Sequence, residues 1–190
     1  TGVQAGTTLR DNEDTELIVI PGTYSVSENV PVGWDLTDIT CVEDGIENSG
    51  ESAVAKNIAN ISLEAGETVT CTFTNTQRGE IEGYKWEDEN GNGSWDQSEE
   101  GYVGWEMFID KNNNGQWDDN ETKTNTSYFG SAPGYYQFDN LEPGNYSICE
   151  SESKDWYRTY PVENNCQSLT LNPGQTFSNV NFGNFEKFDI

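Results

Sequence analysis

The sequence predicts an all-β protein of two tandem β-sandwich modules, the first lacking its N-terminal strand or strands. Three observations predict it. Apolar and polar residues alternate with period two in short segments, no segment sustains a helical 3.6-residue period, and the second half of the chain repeats the first. In chain order the alternating segments are TELIVI (15–20), GTYSVSE (22–28), TVTCTFTN (68–75), EIEGYKW (80–86), GWEMFID (104–110), YYQFDNL (135–141), NYSICES (145–151) and QSLTLN (167–172). Gly, Pro, Asn and Asp bound them, as strand ends require.

The repeat sets the domain organisation. PGTYSVSENVPVGWDLT (21–37) recurs as PGNYSICESESKDWYRT (143–159), pairing Tyr24 with Tyr146, Glu28 with Glu150 and Trp34 with Trp156. Further on, ISLEAGETVTCTFTNTQRG (61–79) answers LTLNPGQTFSNVNFGNFEK (169–187). The modules are therefore expected at 1–77 and 78–185, joined near TQRGE by a linker short enough for a stiff two-domain rod, with 186–190 left over.

Thirty-four acidic residues against nine basic give a net charge of −25. Such a charge repels nucleic acid and anionic membranes and attracts divalent cations. Low apolar content with high charge also marks disordered chains. Six Trp, nine Tyr and eight Phe, with repeated Gly and Pro turn signals, indicate instead a folded protein with a thin core, which needs staples. There is no His and no CxxC, which argues against zinc and against a thioredoxin-like centre. With neither a signal peptide nor an apolar run of membrane-spanning length, the expectation is a mature or excised extracellular segment without direct membrane insertion. Five Asn-x-Ser/Thr sequons, at Asn60, Asn92, Asn120, Asn125 and Asn145, are attributed to chance in so Asn-rich a chain.

Cysteines supply one set of staples. Four allow three connectivities; the local one, Cys41 with Cys71 and Cys149 with Cys166, keeps each bridge inside one module. Each closed loop is worth ~3–4 kcal/mol in the chain-entropy model, and disulfides imply an oxidising compartment.

Cations supply the other. DENGNGSWDQSE (88–99) and DKNNNGQWDDNE (110–121) both carry the twelve-residue pattern that offers calcium oxygens from positions 1, 3, 5, 7, 9 and 12, with Gly at 6 for the turn. The first supplies Asp88, Asn90, Asn92, the carbonyl of Ser94, Asp96 and Glu99 around Gly93. The second supplies Asp110, Asn112, Asn114, the carbonyl of Gln116, Asp118 and Glu121 around Gly115. Trp95 and Trp117 at position 8 are expected to anchor the loops to the fold. The flanking segments alternate like strands, so two calcium ions would fix strand-connecting loops, and Asn in place of Asp points to weaker sites suited to calcium-rich surroundings.

GYKWEDENGNGSWDQSEEGYVGWEMFID, GYYQFDNLEPGNYSICE and FSNVNFGNFEK together resemble the B-repeat of serine-aspartate repeat surface adhesins and, more broadly, the Cna-B or prealbumin-like modules of bacterial surface proteins. Residues 80–187 carry the resemblance well, and 8–77 match only the later part of such a module. It implies a calcium-binding, extracellular, Ig-like sandwich used as a stalk or in assembly, with no enzymatic activity. It also implies a Lys–Asn isopeptide bond beside a buried Glu as a further staple, for which Lys85, Glu150 and Asn181 or Asn184 occupy suitable places. The favoured assignment remains an exposed lysine, a strand-end glutamate and a turn asparagine, because the B-repeats rely on calcium.

In the second module residues 80–142 precede PGNYSICE; in the first only 1–20 precede PGTYSVSE. A sandwich short of its first strand leaves an open edge. The tail EKFDI is the candidate donor: Lys187, Phe188 and Ile190 match the YKWED that opens the second module, and reading from Ile190 into Thr1 gives an uninterrupted module. Either each chain lends this strand to the next, making a head-to-tail homopolymer, or the chain is one segment of a tandem polyprotein. Lys187 delivered in this way would approach Glu28 and Asn75 of the neighbour.

The expected function is therefore that of an extracellular, cell-surface structural protein, a calcium-stiffened filament subunit. The alternatives are a stalk segment of a longer adhesin, or an adhesin gripping a matrix or glycan ligand through the aromatics of DWYRTY (155–160) or TSYFGSAPGYY (126–136). Catalysis is not expected. The carboxylate pairs are accounted for as metal ligands or solvated charge, and no nucleophile motif or phosphate loop is present.

Overall fold

A computed structural model of the chain describes residues 10, 12–43, 46–47, 52–53 and 57–188. It divides into two compact units, Thr1–Thr76 and Gln77–Ile190, and every regular element among the described residues is a strand.

Unit 1 contains β1 (Gly22–Ser27), β2 (Trp34–Glu43), β3 (Ile46–Glu47), β4 (Ser52–Ala53), β5 (Ile58–Leu63) and β6 (Val69–Gln77). They form two small sheets ordered β1-β5-β4 and β3-β2-β6. Its core is thin, as the composition predicts: Ile39, Cys41 and Ala59 are buried, with Leu36, Val69, Cys71 and Phe73 packed against them.

Unit 2 contains β7 (Gly79–Glu87), β8 (Glu106–Ile109), β9 (Lys123–Asn125), β10 (Ser127–Phe129), β11 (Ala132–Leu141), β12 (Gly144–Glu150), β13 (Trp156–Tyr160), β14 (Cys166–Leu171), β15 (Thr176–Phe177) and β16 (Phe182–Glu186). One sheet runs β10-β11-β7-β16-β13 with β15 also on β7; the other runs β14-β12-β8-β9. Ile81, Tyr136, Phe138 and Phe182 from the first sheet bury against Met107, Ile109, Ile148 and Leu171 from the second. Residues alternate inward and outward along each strand, so both sheets present an apolar face to a shared core. The central strand β7 lies antiparallel to β11 and parallel to β16, with Phe182 opposite Lys85 and Asn184 opposite Glu87. Gly183 sits where a Cβ would enter the Trp86 indole. Gly183→Ala is therefore expected to lose ~1–3 kcal/mol by overpacking, read as a lower urea midpoint.

The internal repeat is structural down to register. Gly22 faces Leu63 and Tyr24 faces Ile61 across β1–β5; Gly144 faces Leu171 and Tyr146 faces Leu169 across β12–β14. Both tyrosine hydroxyls donate to the carbonyl four residues back, Tyr24 to Ile20 and Tyr146 to Glu142. With one extra residue in the second repeat, FTN (73–75) of β6 matches FGN (182–184) of β16, which places Phe73 at Phe182 and Asn75 at Asn184.

TELIVI departs from its expected strand. Residues 15–20 form none, and Ile18 is 95% exposed. The repeat supplies the reason: their counterparts end β11, whose partner is β7, and no described strand of unit 1 occupies the β7 position. DWYRTY is likewise mostly strand β13 rather than loop, with Trp156 packed edge-on against Tyr102 and Trp105 while Tyr157 stays exposed.

Both local disulfides form. Cys41–Cys71 links β2 to β6, and Cys149–Cys166 bridges directly opposed residues of β12 and β14. Replacing Cys149 and Cys166 by Ser is expected to destabilise unit 2 by ~3 kcal/mol in equilibrium denaturation.

Candidate cation loops and a buried lysine–glutamate–asparagine cluster

The two acidic loops connect β7 to β8 and β8 to β9, so strands position them as expected. They share one internal geometry, almost bond for bond. In the first, Asp88 accepts from the backbone N–H groups of Asn92 and Gly93 at 3.1 and 2.7 Å, and Asn90 and Asn92 accept from those of Asn92 and Ser94. In the second, Asp110 accepts from Asn114 and Gly115 at 3.3 and 2.8 Å, and Asn112 and Asn114 accept from Asn114 and Gln116. Position 9 gathers both Asn side chains in each loop: Asn90 and Asn92 on Asp96, Asn112 and Asn114 on Asp118. The position-12 glutamates close the ring, Glu99 onto the N–H of Asp96 and Glu121 onto those of Asp118 and Lys111.

Positive φ at Gly93 and Gly115 provides the position-6 turn, and Gly91 and Asn113 at position 4 are left-handed as well. Sequence reasoning passed over position 4, although Gly and Asn are the residues that tolerate this conformation.

Asp88, Glu99, Asp110 and Glu121 are all buried. Burying acidic groups together is costly without a compensating charge. Glu99 Oε1, moreover, is buried with no hydrogen-bond partner. An oxygen-rich donor set of carboxylates, amides and one carbonyl, with an orphaned carboxylate oxygen, fits a hard divalent cation.

The tryptophans attach to the fold in different ways. Trp95 is 40% exposed, so it is not a core anchor, but it stacks on Trp86 at 5.5 Å and donates its indole N–H to the Glu99 carbonyl. Trp117 lies under the Lys123 ammonium at 3.7 Å, and Lys123 pairs with Glu106 at 2.7 Å. The Asn165 amide donates to the Gly115 carbonyl, a tether that no local motif signals. Asp110 also lies beside Cys149 and Cys166, but those sulfurs are bonded to each other and are not free to act as thiolate ligands.

The assignment of Lys85 to an exposed position and of the asparagine to a turn is overturned, whereas Glu150 does end strand β12. Lys85, Glu150 and Asn184 are 1%, 2% and 4% exposed and meet inside the sandwich. Lys85 Nζ lies 3.6 Å from Glu150 Oε2, donates to the Trp86 carbonyl at 3.2 Å and sits over the Trp105 ring. Asn184 hydrogen-bonds Glu150. Asn181 is not the third member: its side chain accepts from the Tyr84 N–H instead. Parity along the strands explains the burial, because Lys85 follows Ile81 and Gly83 on the inward face, Glu150 follows Ile148 and Asn184 follows Phe182. Desolvation pushes the Lys85 ammonium down to about 8 and the Glu150 carboxyl up to about 7. Burial thus shifts both groups toward their neutral forms. Glu150 Oε2 and Asn184 Oδ1 are buried without hydrogen-bond partners.

Unit 1 holds the matching pair without the lysine. Asn75 Nδ2 donates to Glu28 Oε1 at 2.7 Å, and Glu28 Oε2 and Asn75 Oδ1 are buried with no partner among the described residues. Lys187 belongs to unit 2, where it donates to the Lys154 carbonyl and lies over the Tyr157 ring. Phe188 is 72% exposed, and Ile190 lies outside the described residues.

A disulfide-stapled sandwich with cation-type loops between its strands defines a class, the prealbumin-like modules of bacterial surface proteins. Residues 79–181, more than half of the chain, match the SdrD B-like domain family, and residues 1–77 match the prealbumin-like fold domain family. The chain belongs to the SdrD B-like domain family. Serine-aspartate repeat-containing protein C of Staphylococcus aureus strain N315 is 28% identical over 130 residues, covering 67% of this chain and 12% of the relative; the strain Newman protein matches at the same identity and coverage. The chain thus spans about an eighth of the length of these relatives. Among solved structures, the minor pilin GBS52 of Streptococcus agalactiae matches 71% of this chain and 66% of its own at 13% identity and TM-score 0.42. The major pilin BcpA of Bacillus cereus matches 88% and 60% at 13% identity and TM-score 0.37.

Proposed function

We propose that the chain is an extracellular structural unit of a surface filament, held rigid by two calcium ions and assembled head-to-tail by β-strand donation. The observation that carries the assembly is that no described strand of unit 1 occupies the β7 position. In unit 2 that strand joins β11 to β16; in unit 1 the β11 counterpart forms no strand, and β6 pairs among the described residues only with β2. An open edge beside exposed apolar residues invites strand addition, and residues 187–189 repeat the basic, aromatic, acidic pattern of residues 85–87.

Calcium would be held by Asp88, Asn90, Asn92, Asp96 and Glu99 with the Ser94 carbonyl, and by Asp110, Asn112, Asn114, Asp118 and Glu121 with the Gln116 carbonyl. Its contribution is charge compensation and loop fixation. The disulfides suit an oxidising compartment. The role is structural rather than catalytic.

Within unit 2, the Lys85 amine would attack the Asn184 carboxamide carbon, the burial of both beside Glu150 supporting this reading. Glu150 takes the proton lost by the amine and delivers one to the departing group, so that an amide forms and ammonia leaves. Burial supports this by favouring the neutral amine and the neutral acid.

Negative-stain microscopy in millimolar calcium and in chelator tests the assembly. Filaments that shorten or disappear on chelation are the expected result. Separate particles in both conditions would remove self-assembly and leave a stalk segment of a longer adhesin. Tyr128 and Phe129, about two-thirds exposed on β10, keep an adhesive role in view; glycan binding that survives chelation would favour it.

A further inference from the structure

Glu28 and Asn75 are half of a site whose other half the same chain displays complete. The repeat places Glu28 at Glu150 and Asn75 at Asn184, and unit 2 fills the third place with Lys85 from β7. In unit 1 the same two side chains already touch at 2.7 Å, each keeping one buried oxygen without a partner among the described residues. A buried carboxylate oxygen and a buried amide oxygen left unpaired on one strand edge are costly, and one ammonium or amine would satisfy both. Lys56, the sole lysine of residues 1–76, lies outside the described residues.

Resting on the strand-donation reading, we propose that the occupant is Lys187 of a second copy and that the junction closes covalently, as an intermolecular amide between Lys187 and Asn75. In unit 2 the parallel pairing of β16 with β7 begins at the lysine and runs onward, Phe182 opposite Lys85 and Gly183 opposite Trp86. Transferred to unit 1, Lys187 falls opposite Phe73 and Phe188 opposite Thr74. Pairing in this register starts after Glu186, where β16 ends, so the donor need not surrender its own last strand. It gives up the contacts of Lys187 with the Lys154 carbonyl, the Asp155 carbonyl and the Tyr157 ring, and the edge-on contact of Phe188 with Phe185. Docked, Lys187 Nζ as the free amine attacks Asn75 Cγ. The C–Nδ2 bond breaks, Glu28 relays the proton from the attacking nitrogen to the leaving one, and one ammonia departs. No oxidant or other reactant is needed.

The test uses the full chain carrying Lys187→Ala, which cannot donate its own lysine, mixed with the synthetic peptide NFEKFDI (residues 184–190). Intact mass is read after denaturation, and peptide binding is read separately by fluorescence anisotropy. The expected product has the mass of chain plus peptide less one ammonia, with the link mapped to Asn75. It is absent in Asn75→Ala and forms slower by roughly 100-fold or more in Glu28→Gln. The unmodified chain should likewise give a denaturant-resistant ladder that Lys187→Ala abolishes. Peptide that binds without forming the adduct, or links elsewhere than Asn75, overturns the covalent junction while strand donation stands. Peptide that neither binds nor reacts overturns both.

Discussion

Glu150→Gln is expected to leave Lys85 and Asn184 unjoined, so that the intact mass of the variant shows one ammonia more than the change of side chain accounts for. Glutamine at this position cannot relay the proton, and it leaves a buried lysine without its counter-charge. Removing one partner of a buried pair typically costs ~3–5 kcal/mol, and in a domain of this size each kcal/mol moves the melting temperature by roughly 4–8 °C. Lys85→Met separates the two contributions. It also prevents the amide, yet it replaces the buried amine with an apolar chain of similar length beside Trp105, so it should lose the mass signature with a smaller loss of stability. A wild-type mass equal to that of the uncondensed chain would retire the amide in unit 2 and leave Lys85, Glu150 and Asn184 as a buried polar network.

Chelation is expected to produce the second large effect. A ligand present at 100 times its dissociation constant stabilises the state that binds it by ~2.7 kcal/mol per site, and two such sites are proposed in unit 2. Thermal melts in millimolar calcium and in chelator should therefore differ in two steps. Glu99→Gln and Glu121→Gln should each remove one step, and because the loops share no ligand their effects should add. Identical melts under both conditions would show that the hydrogen bonds within the loops suffice to hold them.

How much of this was legible in the sequence depended on the range of the interaction. The loops were readable because their ligands come from one continuous segment, in which spacing alone determines which oxygens converge. Strand parity was readable for the same reason, and it carried more than was drawn from it. Lys85 lies two and four residues from Gly83 and Ile81, Glu150 two from Ile148 and Asn184 two from Phe182, so all three polar residues belong to inward faces. The expectation of exposure treated them by residue type and not by face. TELIVI failed in the opposite direction: its alternation is that of a strand, but a strand needs a neighbour to accept its hydrogen bonds, and alternation does not say whether one is there.

The sequence by itself determined the all-β class, the two repeats, the twin acidic loops and the cysteines that pair, all from local periodicity or from comparing one half with the other. Only the tertiary structure decided that Lys85, Glu150 and Asn184, from three strands far apart in the chain, share one desolvated point, that Asn184 and not Asn181 is the third member, and that Glu28 meets Asn75 with two oxygens unpaired. The physical reason is that strand register across a sandwich, with the burial it imposes, is set by long-range pairing and packing. Those terms have no signature in the spacing of residues along one segment.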